Sequence, residues 1–160
     1  MKKIISIMLC VLLFTSVIAC GKKEETAGTG NPLADDFIAR VEENENVSVQ
    51  ELVDGISQNE SLSFEVVSMP VEAGLLMGFG NTEITGFSEG VMFAPMVGSI
   101  PFIGYVFSLE EGTDVDAFKA LLENSADPRW NICTEAEEMV VTSVGNKVFF
   151  LMAPKNTDLV

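Results

Sequence analysis

The chain of 160 residues carries 24 acidic against nine basic side chains and no histidine, for a formal charge of −15. A field of that sign repels nucleic acid and anionic lipid. Without an imidazole, the Ser-His-Asp and Cys-His devices and histidine-bound zinc are excluded. A hydrophobic share of 48% argues for a packed core rather than disorder.

The first stretch is an address. Met1-Lys2-Lys3 is cationic, and Ile4 to Ala19 is an apolar run of 16 residues interrupted only by Ser6, Thr15 and Ser16. That length falls short of the ~17–25 residues a spanning helix needs, so a removed export signal fits better than an uncleaved anchor. Val17-Ile18-Ala19-Cys20, followed by Gly21, resembles the lipobox of bacterial lipoproteins. The resemblance implies cleavage after residue 19, diacylglycerol on the Cys20 sulfur and a position on the extracytoplasmic face of the membrane. Two acyl chains suffice for stable anchoring, at ~0.8 kcal/mol per buried CH₂.

The remaining 141 residues form the size of one ordinary domain. With Lys2 and Lys3 gone they hold seven basic against 24 acidic side chains, a net of −17. Residues 20–30 carry the anchor and a Gly-rich polar tether whose last ten residues have an r.m.s. reach of roughly 17 Å. A single domain is expected over 31–153, with a tail over 154–160. Cys10 leaves with the signal and Cys20 carries lipid, so Cys133 is left alone and no disulfide framework exists. Beside Ile132 and near Trp130, it reads as a small buried hydrophobe.

Asn31-Pro32 reads as an N-cap and first helical residue. Leu33, Phe37 and Val41 then predict a helix over 32–43. Ser48 and Glu51 form a capping-box pattern ahead of Val49, Leu52, Val53 and Ile56, predicting a helix over 49–58. Leu62, Phe64 and Val66 alternate in a strand expected to stop before Pro70. Short extended pieces are expected near 74–79 and 82–88. Val91 to Leu109 lacks any charged residue over 19 positions, yet Pro95, Gly98, Pro101 and Gly104 break it. It reads as two buried strands, 91–96 and 102–109. Thr113 with Asp116 suggests a cap for a helix over 113–124, stopped by Asp127-Pro128. Met139–Val144 and Lys147–Met152 flank Gly145-Asn146 as a hairpin. The fold class that follows is α+β, one mainly antiparallel sheet with about three helices packed on one face.

Few residues suggest chemistry. Gly78-Phe79-Gly80-Asn81-Thr82-Glu83 starts like a dinucleotide loop, but Glu83 stands at the third glycine and no βαβ unit surrounds it, so it reads as a turn. Glu110, Glu111, Asp114 and Asp116 could offer oxygens to Ca²⁺, though the spacing lacks the EF-hand pattern and acids suit a helix start. Six methionines remain after processing. They read as filler of an irregular core rather than as copper ligands. Lys119, Lys147 and Lys155 occupy no Ser-x-x-Lys motif. No catalytic residue, metal ligand or cofactor is assigned. The candidate ligand patch is Arg129 with Trp130, where a stacked cation–aromatic pair could hold a ligand or peptide; the plainer alternative is a tryptophan closing the core.

Residues 91–152, with their helix, Asp127-Pro128-Arg129-Trp130, Ile132-Cys133 and terminal hairpin, resemble small uncharacterised lipoproteins of clostridia-type Gram-positive bacteria. The resemblance implies neither an activity nor site residues. The expected function is a lipid-anchored extracytoplasmic domain binding a protein, peptide or envelope component. The membrane is a partner through Cys20, and nucleic acid is not one. A small envelope-acting hydrolase and a calcium-binding module are the alternatives.

Overall fold

The structure is a computed structural model and describes residues 28–96 and 98–155. The signal segment 1–19, Cys20 and tether residues 21–27 lie outside the described residues, as does most of the 154–160 tail. Among the described residues, no helix is long and apolar enough to cross a membrane.

Helix α1 spans Pro32–Glu43, and the Asn31 side chain accepts from the backbone N–H groups of Leu33 and Ala34. The N-cap and the proline at the first position thus act where the sequence places them. Before it, Thr29 N donates to Asp35 Oδ1 at 2.7 Å, so the end of the expected tether is stitched onto the first turn. Helix α2 spans Val49–Ile56, with Ser48 and Glu51 forming the reciprocal capping box. Arg40 joins the two helices, reaching Asp36 at 2.8 Å and the Gly55 carbonyl at 3.2 Å.

Seven strands follow: β1 Val66–Pro70, β2 Gly74–Leu75, β3 Glu83–Ile84, β4 Phe87–Pro95, β5 Ile103–Leu109, β6 Glu138–Val144 and β7 Lys147–Ala153. Five form an antiparallel sheet in the order β1-β4-β5-β7-β6, while β2 and β3 make a separate small hairpin. Helix α3, Val115–Ser125, lies between β5 and β6 in the chain. This is the α+β architecture expected, with three helices among the described residues against an antiparallel sheet.

Three details differ from expectation. The first strand begins at Val66 rather than residue 62, and Pro70 belongs to it, opposite Val91. β1 is an edge strand, where a residue without N–H costs no ladder bond. The cap of α3 is Asp114, whose carboxylate accepts from Ala117 N, while Thr113 donates its hydroxyl to the Gly86 carbonyl. Lastly, the helices divide between the two faces instead of sharing one.

That division follows from strand alternation. Phe149, Leu151 and Val106 face α1 and α2 in one core with Phe37, Leu52 and Ile56. Val148, Phe150, Tyr105 and Phe107 face the other way, toward Phe118 and Leu122 of α3 and toward Phe79 and Ile84 of the small hairpin. The uncharged 91–109 stretch is therefore explained by a central strand, β5, that is covered on both sides. Every residue of β7 is buried as well.

Candidate functional site

Phe79 explains the Gly78-Phe79-Gly80 sequence. Gly78 and Gly80 adopt φ of 90° and 58°, a region that side chains disfavour. The turn they allow drives Phe79 fully into the α3-side core, 4.6 Å from the Phe150 ring centroid. Tyr105 donates its hydroxyl to the Met77 carbonyl at 2.8 Å, fixing the same turn from below. Burial pushes the Tyr105 phenol well above its ordinary range, so it stays a donor.

This anchored turn forms one wall of a cleft of about 260 Å³, lined by Met77, Ala94, Pro95, Gly98, Ile100, Phe102, Trp130 and Asn131. The end of β4 and the turn that leads into β5 supply much of its lining. Trp130 is half-buried and packs on the α3-side core while lining this cleft. The loop that carries it, residues 126–137, is tied down along its length. Asp127 N donates to the Gly78 carbonyl, Ala136 N to Pro128, and Glu137 N to Ala153. Asn131 Nδ2 donates to the Gly98 carbonyl and so bridges this loop to the β4–β5 turn.

Arg129 does not join Trp130. Its guanidinium meets the Glu135 carboxylate at 2.8 and 2.9 Å in an exposed part of the loop, and that bond holds it firmly protonated. Arg129 borders a second, polar hollow of about 220 Å³ with Ile132, Cys133 and Glu135. The two neighbours in sequence thus serve different surfaces. Trp130 gains Met77, Ile100 and Phe102 as cleft partners, which no local pattern announced.

Cys133 is exposed, contrary to the buried position expected of it. The loop turns at residues 131–134, where Thr134 N donates to the Asn131 carbonyl, and both Ile132 and Cys133 point outward. The methionines also divide. Met92 and Met152 fill the core, but Met69, Met77, Met96 and Met139 are exposed.

The acidic group before α3 is spent locally. Asp114 caps the helix and Asp116 pairs with Lys119 at 2.9 Å. Among the described residues no three or more acidic or cysteine side chains converge to hold a metal. Register does bring Ser108 and Lys147 opposite one another on β5 and β7, a juxtaposition invisible to a Ser-x-x-Lys search. Lys147 Nζ, however, donates to the Glu45 carbonyl at 2.8 Å, and Ser108 Oγ accepts from Asn146 at 3.3 Å. The lysine is occupied as a structural strut.

Comparison with protein-family models, with curated proteins and with solved structures yields no match.

Proposed function

We propose that this protein is a lipid-anchored extracytoplasmic domain that binds an envelope component, with the Trp130 cleft as its contact site. The cleft carries the reading. It gathers a tryptophan, two other large apolar side chains and an exposed methionine around a hollow with few polar groups, the usual character of a recognition site. The catalytic alternative lacks support of this kind, because Lys147 and Lys119 are committed to structural partners and the chain has no histidine. The address rests on the lipobox at Cys20.

Two experiments test the reading. Fatty-acid labelling should mark the protein and disappear in Cys20→Ala, which should also leave the membrane fraction while staying folded. A photo-crosslinking side chain at the exposed Met77 of the anchored protein should trap an envelope component, and Trp130→Ala should abolish the adduct. Labelling that persists in Cys20→Ala rejects the anchor. An empty cleft, with no adduct in either form, rejects the binding role.

A further inference from the structure

We infer that the end of the sheet bearing the cleft is the membrane-facing end, and that Met96 and Ile132 dip into the lipid interface with Trp130 at its edge. The inference rests on the anchored reading above and names the envelope component as the bilayer itself.

The topology supplies the first reason. Asn31, at the start of α1, donates to Glu138 at the start of β6, and Glu138 pairs with Ala153 at the end of β7. Met152 pairs with Ile103 at the start of β5, and the β4–β5 turn lies next to it. The chain therefore enters the domain at the same end of the sheet as the 96–101 turn and the 126–137 loop. Eight residue-to-residue steps link Cys20 to Gly28, with residues 21–27 between them. Such a length spans at most about 27 Å when fully extended, with an r.m.s. reach near 15 Å. A seven-residue strand such as β7 is itself about 23 Å long. Presenting the opposite end, at Gly145-Asn146, would consume nearly the whole extension. Presenting the entry end needs almost none.

The second reason is what that end exposes. Ile132 is 96% exposed and Met96 76%, the two most open large apolar side chains among the described residues. The hydrogen bond between Asn131 and Gly98 holds their loops together. Single exposed apolar side chains are ordinary, but Met96 follows Pro95 and Ile132 follows Asn131, and Pro95 and Asn131 both line the apolar cleft with the half-buried Trp130, a residue type suited to the boundary between water and hydrocarbon. Ile132 itself borders the polar hollow beside it. Of the acids at this end, Glu135 is paired with Arg129, Glu138 accepts a hydrogen bond from the neutral Asn31 amide and keeps its charge, and Glu65, one residue before the Val66–Pro95 pair, is exposed. Glu137 remains exposed and limits insertion to a shallow depth. The strongly negative remainder of the body favours a zwitterionic surface over an anionic one.

Trp130 is the sole tryptophan, so its emission reports this end alone. The lipidated protein is reconstituted into phosphatidylcholine vesicles with or without brominated acyl chains, and flotation is measured alongside fluorescence. The expected result is co-flotation, a blue shift and loss of emission with brominated lipid, with emission restored in Met96→Ser/Ile132→Ser although that variant still floats. Anionic lipid should weaken the quenching at low salt. Protein that floats with unquenched Trp130 overturns the inference and leaves the anchor standing. Quenching that survives in the double variant also overturns it. Unquenched Trp130 whose protection from acrylamide rises with protein density in the vesicles would overturn it in favour of a second copy in place of lipid. Failure to float rejects the anchor, and the inference falls with it.

Discussion

Gly104 lies near the start of β5, opposite Phe93 on β4, and a β-carbon built on it would enter the Phe93 ring. In the sequence it is one more breaker in an apolar run. In the fold it is the absence of a side chain that makes room for the Phe93 ring, which packs against Phe102 and Phe149. Overpacking of a dense core costs about 1–3 kcal/mol or more, so Gly104→Ala should lower the urea midpoint clearly; an unchanged midpoint would mean the ring has room to move. Cys133 teaches the converse. Its type and apolar neighbours argue for burial, but burial belongs to the loop path, and that path is set by distant bonds from Gly78, Gly98 and Ala153. The native thiol should therefore react with a maleimide as fast as it does in urea. A strong slowing in the native state would contradict the exposed position.

At the scale of elements, the helix starts were readable because their signals are local. Asn31 caps α1 within three residues, and Ser48 with Glu51 does the same for α2. Asn31→Ala should cost about 1–2 kcal/mol, the upper part of the cap range, because it also removes the link to Glu138. Chemical denaturation against a Ser48→Ala control separates the cap from the cross-element bond. The Glu51 carboxylate is held below its ordinary pKa by hydrogen bonds from the Ser48 backbone and hydroxyl. Its folded pKa lies below the unfolded one, so its stabilising contribution is present above the unfolded value and is lost as pH falls through the folded one. Stability of Ser48→Ala should accordingly lose less between neutral and acid pH than that of the parent, as read from urea midpoints across the carboxylate range. Strand limits were less legible. Leu62 and Phe64 alternate like strand residues and do pack on the helix-side core, but they precede the ladder, which begins where β4 supplies a partner at Pro95. The site was hardest to see, since Trp130 meets Met77 and Phe102 only after three separate chain segments converge.

Across the whole molecule the decisive fact is that two cores share their central strands. Phe149 and Phe150 are adjacent in β7 and fully buried, yet Phe149 faces α1 and α2 whereas Phe150 faces α3 and the Phe79 turn. Alternation along β7 is hidden in the sequence, because Val148 to Ala153 is apolar on both faces; a strand covered on both sides has no polar stripe to show which helix lies where. This is why the helices were expected on one face and lie on two. It also couples the cores mechanically, for neither can lose β5 or β7 without exposing the other. Truncating a buried Phe to Ala typically costs 3–5 kcal/mol. Trp130 packs against the α3-side core, which makes it chiefly a probe of that side, while far-ultraviolet circular dichroism reports all elements. For Phe149→Ala, on the opposite face from that probe, the Trp130 emission midpoint and the dichroism midpoint in urea should fall together and by equal amounts, as two-state unfolding requires. Phe150→Ala should give the same coincidence. A Trp130 transition left in place while the dichroism shifts in Phe149→Ala would mean that the two layers unfold separately, and that the shared strands do not bind them into one cooperative unit.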